Sequence, residues 1–413
     1  LTHTPGPDRA EARIDGGSNL LVAPSALHGH EVAGEFFGSV VTPEELTTIA
    51  PDLAGRTVYL CGDLSAIDRS QLRTADRVFV VRELSHGHHE DADGSWTAIG
   101  LGRVPVRVHG VGVYYRRFFE PDADHFGRIR AEHTFQSLTE STKPGTAHRS
   151  GIYLTPVVRD GDELHFRLLR CSTNLSGPTE GFGPTDTRIV EALNREAAAT
   201  FRGHAPLNHV LAQIYHNTSA TTGRKQSKAR ISAHADKTKD MPSNGIMAFC
   251  TFYDGLDKLE PLAEDAYDHG VKGTSGLTRL HFRLKESARG RDGAASLPPR
   301  FTVTLHPGSV FFVPLSTNRL YTHEIRPSAL DAGLLPTRLG YVVRCSGTEA
   351  VHKGGRTFLK RAGELVELEP PTPDGMDELR RRYAEENRST AFVDYGDDFL
   401  FSMNTGDYLA PHA

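Results

Sequence analysis

Between residues 207 and 346 the chain is cut into short strand-like runs separated by polar turns, and this limits the possible folds more than any other feature. LNHVLAQIY (207–215), GSVFFVPL (308–315) and TRLGYVVRC (337–345) are rich in aliphatic, aromatic and β-branched residues. Each is too short for a core helix and fits a strand. Forty glycines and 24 prolines against four methionines suit a body with many turns. The pattern predicts a β domain over about 186–350. No run of about 18 apolar residues exists, so no transmembrane helix is expected.

Other patterns flank this domain. Residues 1–20 are polar and Gly/Pro-rich and read as a flexible lead-in. TVYLCG (57–62) and RVFVVREL (77–84) bracket DLSAIDRSQL (63–72), a β-α-β pattern with a short helix. RVPVRVHGVGVYYRRFF (103–119) alternates as one or two strands. GIYLTPVV (151–158) and LHFRLLR (164–170) suggest a hairpin. TRIVEALNREAAATF (187–201) has helical spacing with Asp186 as its N-cap. A second helix, MDELRRRYAEENR (376–388), precedes an aromatic-rich end. The division that follows is a lead-in (1–20), an N-terminal α/β region (21–185), the β domain (186–350) and a tail packed on it (351–413).

Composition narrows function. Lys plus Arg is 47 and Asp plus Glu is 52, a formal charge of −5. That balance excludes a protein that coats polyanions by bulk charge. The scattered cysteines (Cys61, Cys171, Cys250, Cys345) form no CxxC pair and read as reduced thiols in a cytoplasmic protein. No basic segment followed by an apolar core is legible in the first 30 residues, so no secretory leader is expected.

The chemistry lies in four places. In RISAHADKTKDMP (230–242), His234 and Asp236 are two apart; on a strand both face one way. Alone, His-x-Asp is an ordinary surface pair. His323, in the short strand after GSVFFVPLSTNRLYTHEI (308–325) begins, supplies a third donor. Two histidines and a carboxylate form the facial set that leaves open positions on Fe(II). In TRLGYVVRCSG (337–347), Arg338, Gly340, Val342 and Arg344 share a face. Arginine in so apolar a strand needs an anion, and guanidinium matches carboxylate in a bidentate way. Upstream, Gln213, Tyr215 and Asn217 share a strand face.

Together these blocks resemble the AlkB-like branch of the Fe(II)/2-oxoglutarate dioxygenases. LNHVLAQIY is similar to that family's FN-x-L-x-N-x-Y strand, with Gln213 in place of Asn. HADK (234–237) matches its His-x-Asp block, NRLYTHEI (318–325) its second histidine block, and RLGYVVR (338–344) its arginines separated by five residues. The match spans roughly 140 residues, in order, interrupted by the insertion TSATTGRKQSKAR (218–230). The resemblance implies an α+β protein with a double-stranded β-helix (jelly-roll, cupin-like) core, an N-terminal α/β extension and a C-terminal helical tail. It implies His234, Asp236 and His323 as iron ligands and Arg338 on the distal carboxylate of 2-oxoglutarate. Tyr215 and Gln213 would bond that cosubstrate, and Arg344 would sit beside its metal-bound end. The implied activity is that of an oxygenase using Fe(II), 2-oxoglutarate and O2.

Departures bear on the substrate. Thr238, flanked by Lys237 and Lys239, stands where the family's nucleic-acid demethylases carry an acidic residue, and Gly340 replaces a polar residue. These favour a small polar metabolite, hydroxylated or oxidatively cyclised, over damaged nucleic acid. GRKQSKAR (223–230) could grip an anionic group or one nucleic-acid strand, or be a solvated loop. A nucleic-acid demethylase and a catalytically idle cupin-like binding protein are the alternatives. The SHGHHE run (85–90) reads as a polar loop, His281 and His306 as structural or exposed, and Trp96, Tyr114, Tyr115, Phe118 and Phe119 as core.

Overall fold

A computed structural model describes residues 10–87, 94–138, 148–171 and 175–413. In its C-terminal half, eight strands follow the segmented pattern: β1 (His209–His216), β2 (Ile231–His234), β3 (Ile246–Asp254), β4 (Arg279–Leu284), β5 (Arg300–Thr304), β6 (Val310–Pro314), β7 (Tyr321–Arg326) and β8 (Thr337–Arg344). They divide between two antiparallel sheets, with the orders β1-β8-β3-β6 and β2-β7-β4-β5. Eight strands wound in this way make a jelly roll.

Period-two alternation sets what each face does. On β8, Leu339, Tyr341 and Val343 turn outward into the core shared with helix α1 (Pro184–Thr200), against Ile189, Leu193 and Ala197. The alternate residues, Arg338, Gly340, Val342 and Arg344, turn inward and line a cavity. The closed end of the roll is filled by Phe282, Phe301, Phe311 and Tyr321. The rings of Phe282 and Phe301 stack 4.6 Å apart. Burying one such side chain contributes roughly 1.5–3 kcal/mol.

The expected boundary at residue 186 falls inside one sheet. Strands Val106–Val108 and Gly112–Tyr115 extend it beyond β6, and His148–Thr155 extends it beyond β1. The physical reason is continuity of the core: Val113, Tyr115, Ile152 and Leu154 are buried with β8 and α1. The expected hairpin is also redrawn. GIYLTPVV breaks near Pro156, so His148–Thr155 pairs with β1. The hairpin is Val158–Asp160 with Glu163–Leu168, turning at Gly161, whose φ is 61°. It joins a separate antiparallel sheet through Thr348–Lys353.

The N-terminal region does hold an α/β unit. Strands Ser39–Val41, Asn19–Val22, Thr57–Asp63, Arg77–His86 and Thr97–Ile99 lie side by side in that order, all parallel. Both faces are covered, as parallel sheets require. The helix expected over 63–72 is instead two 3-10 turns, Leu64–Ala66 and Arg69–Leu72, started by the carboxylates of Asp63 and Asp68. Glu196 of α1 docks this unit on the roll: its carboxylate meets Arg77 at 2.8 Å and Arg103 at 3.4 Å and accepts from the Tyr115 hydroxyl. Burial would raise that carboxyl, but the two guanidiniums hold it down at about 2.

Helix α1 begins at Pro184 with Gly183 as its cap. Asp186, expected at the N-cap, sits in the first turn and accepts from the Gly183 N–H at 2.8 Å. Helix α2 (Pro373–Arg388) is capped by the Thr372 hydroxyl. Trp96, Tyr114, Tyr115, Phe118 and Phe119 are buried, as expected. The expected lead-in is corrected from residue 10 on: Arg13–Ile14 pairs with Phe201–Arg202, and Ala12, Asn19 and Leu20 are buried by packing on the two units. Ser85 and His86 of the SHGHHE run end the strand Arg77–His86, while residues 88–90 and 1–9 lie outside the described residues.

Candidate metal centre and its cavity

β2 and β7 pair so that His234 stands opposite His323, just after a register shift in β2. The ring centroids are 4.5 Å apart. β2 ends at His234, so Asp236 reaches the same point through a turn and not along a continuous strand. Asn318 fixes that turn from both sides: its Oδ1 accepts from the Asp236 N–H at 2.8 Å, and its Nδ2 donates to the Asp236 carbonyl at 3.0 Å. As a result Asp236 Oδ1 lies 3.5 Å from His234 Nε2 and 3.4 Å from His323 Nε2. Adjacent donors on an octahedral ion with bonds of about 2.1 Å stand about 3 Å apart, so this donor set fits a first-row metal with small adjustments.

The charges are arranged for the same end. Burial alone would raise the Asp236 carboxyl. The Arg344 guanidinium outweighs it and holds the carboxyl well below the usual range. Arg344 takes the far oxygen, Oδ2, through Nε at 2.8 Å and Nη2 at 2.7 Å. Oδ1 is left to the histidines. His234 Nδ1 lies 2.8 Å from the Ser232 carbonyl, which can only accept, so that nitrogen carries a proton and Nε2 is the one turned to Asp236. His323 is packed against Phe249 and Phe282. Burial and the neighbouring His234 hold it below the ordinary imidazole value, so it stays neutral with a lone pair to offer.

The cluster opens on a cavity of about 490 Å³. On the wall made by β1, β3 and β8, Arg338 lies buried over the Tyr215 ring, 4.1 Å from its centroid. Among the described residues its Nε and Nη2 have no hydrogen-bond partner, and neither does the buried Thr251 Oγ1 beside it on the cavity wall. An uncompensated buried guanidinium costs several kcal/mol, so this corner is built for an anion. Gly340 keeps it open, since a Cβ there would come within 3.0 Å of Arg338 Nη1 and 3.2 Å of the Tyr215 ring. Orphaned donors in a cradle that a side chain would fill suit the distal carboxylate of 2-oxoglutarate, as the donor set suits Fe(II).

The structure therefore gathers all the sequence-derived residues except Asn217 around one cavity. Asn217 instead accepts from the Ala229 N–H at 2.8 Å and closes the 218–230 insertion. Gln213 and Tyr215 line the cavity, with the Tyr215 hydroxyl donating to Gln213 Oε1 at 3.1 Å. Arg344 lines the cavity and pairs with Asp236, at the metal end. Within GRKQSKAR, Lys228 donates to the Ser328 and Leu330 carbonyls, while Arg230 reaches the cavity. His281 is bonded to Thr302, and His306 to Tyr114 and Asp265. Sequence reasoning missed Thr251, the polar exception among the inward residues of β3, and Asn318, which opens the block ending in His323. It also missed Asn387, whose Oδ1 accepts from the N–H of Ala235, between the two ligands.

No family model matches the chain, and no curated protein does. Several solved structures resemble it distantly. A prolyl-4-hydroxylase from Pseudomonas putida is 13% identical and covers 56% of this chain and 91% of its own, with a TM-score of 0.29. The non-heme alpha-ketoglutarate-dependent epimerase SnoN of nogalamycin biosynthesis is 13% identical and covers 58% and 79%, at 0.31. OsALKBH1 is 16% identical and covers 56% and 97%, at 0.28. None of these identifies the chain. The functional reading rests on its own side chains.

Proposed function

We propose that the chain is an Fe(II)/2-oxoglutarate-dependent oxygenase that hydroxylates or oxidatively cyclises a small polar metabolite. One observation carries the reading: a buried guanidinium, two of whose nitrogens have no partner among the described residues, shares a cavity with two histidines and a charge-balanced carboxylate. A metal-binding scaffold has use for the three donors but none for Arg338. His234, Asp236 and His323 would hold the iron. Arg338, with Thr251 beside it, would hold the distal carboxylate of 2-oxoglutarate, and Gln213 and Tyr215 would flank it. When bound, the metal and cosubstrate supply the O2-dependent oxidation, with succinate and CO2 as co-products. The protein fixes the ligand protonation states, anchors the cosubstrate in one direction and presents the substrate bond.

The test is conversion of 2-oxoglutarate to succinate by the full chain with Fe(II) and O2. Turnover that disappears with a chelator and in Asp236→Ala supports the reading; turnover indifferent to both overturns it. Formaldehyde release from methylated oligonucleotides would move the assignment from a metabolite to nucleic acid.

A further inference from the structure

The cavity wall formed by the C-terminal helix bears on what the enzyme oxidises, an inference that rests on the oxygenase reading. Asn387, in the last turn of α2, lines the cavity beside Lys237. Its Oδ1 accepts from the Ala235 N–H at 2.8 Å and from Lys237 Nζ at 3.0 Å. Neither partner can act as an acceptor, so they fix the orientation of the amide, and its NH2 is the end left over. Lys237 Nζ also donates to the Tyr383 carbonyl at 3.2 Å, which leaves one of its three N–H groups. The neighbouring carboxylate, Glu386, is turned onto the N–H and hydroxyl of Thr238. What this wall offers is donors.

Charge agrees. Among the described residues, the charged side chains lining the cavity are Arg149, Arg230, Lys237, Arg338 and Arg344 against the carboxylate of Asp236. Fe(II) and the 2-oxoglutarate dianion cancel one another, so the lining stays positive after both have loaded. We infer that the primary substrate carries a carboxylate, held by the Asn387 amide and the Lys237 ammonium, with Arg230 at the entrance. A phosphate is a poorer match. α2 presents its C-terminal, negative end here, with the Glu386 and Ser389 carbonyls already facing Lys285 Nζ, and such an end disfavours a dianion.

The experiment uses the full chain loaded with Mn(II) and saturating 2-oxoglutarate, and reads paramagnetic relaxation of small probes by proton NMR. The probes are N-acetylglycine, its neutral amide and methyl phosphate. The expected result is strong relaxation of N-acetylglycine, weaker effects on the other two, and carboxylate affinity reduced at least about tenfold in Asn387→Asp. That variant keeps oxygens for Ala235 and Lys237 but replaces the donor with negative charge. Lys237→Met is the second variant, should the first not fold. The inference is overturned if the amide or methyl phosphate is relaxed as strongly as N-acetylglycine. It is equally overturned if a folded variant binds like the parent, or if N-acetylglycine is unaffected while 2-oxoglutarate is relaxed. Absence of 2-oxoglutarate relaxation in the parent marks failure of the oxygenase reading itself, and this inference falls with it.

Discussion

The two faces of β8 carry clusters made of the same ingredients and put to opposite uses. Behind the strand, His133 lies between Glu180 at 2.7 Å and Asp186 at 2.6 Å. Asp186 also accepts from the outward Tyr341 hydroxyl, and Glu132 beside it accepts from the Thr185 N–H and hydroxyl. Burial would lower the His133 value, but Asp186 and Glu180 outweigh it and raise it, so both ring nitrogens carry protons. No lone pair is left for an ion. In front of the strand the buried His323 is held neutral, the Nε2 atoms of both histidines meet one carboxylate oxygen, and the compensating arginine is kept to the other. A cluster whose members satisfy one another is a clamp. One whose members leave a gap of shared valence is a binding site.

This contrast can be broken by substitution. The largest effect belongs to Asp236→Ala, which should take Fe(II)-dependent succinate formation to background, while His133→Gln leaves metal binding intact, as measured by Mn(II) titration. His133→Gln should instead cost about 3–5 kcal/mol in urea unfolding, because it leaves two buried carboxylates facing each other. Arg338→Met should reverse that pattern. It should weaken 2-oxoglutarate by about 10- to 100-fold, the loss of a charged hydrogen-bonded pair, yet leave the metal-free protein as stable or more so, since two nitrogens of the guanidinium it removes have no partner among the described residues. Gly340→Ala should raise the cosubstrate KM by a smaller factor, roughly tenfold or less, through the crowding of Arg338 and Tyr215.

The smallest effect is a pH dependence. The His133 value is raised in the fold, so its stabilisation is fully present below the ordinary imidazole value near 6.5 and is lost as pH rises through the folded value. Unfolding free energy should therefore fall on going alkaline, more steeply in the parent than in His133→Gln.

The front cluster was largely legible because its chemistry is written locally. His234 and Asp236 are two residues apart, and period two places Arg338, Gly340 and Arg344 on one face without any knowledge of the partner strand. The jelly roll was legible from the resemblance, and its strand order bears that out. The rear clamp was not legible, because Glu132, Glu180 and Asp186 come from separate elements and meet only through packing. The pairing of Arg344 with Asp236 was hidden for a related reason: sequence shows that an arginine faces inward but not which anion it meets. The boundary at 186 failed because strands before it complete the sheet of the roll: Gly112–Tyr115, far upstream, pairs with β6, Tyr115 opposite Val310.

The brace that Asn387 gives to Ala235 spans 152 positions of sequence. A chain growing from its N-terminus thus exposes both histidines and their aspartate well before the helix that steadies them exists. On the proposed oxygenase reading, capture of the metal in its working geometry becomes a late event in the making of this protein, tied to arrival of the tail and not to emergence of the three donors.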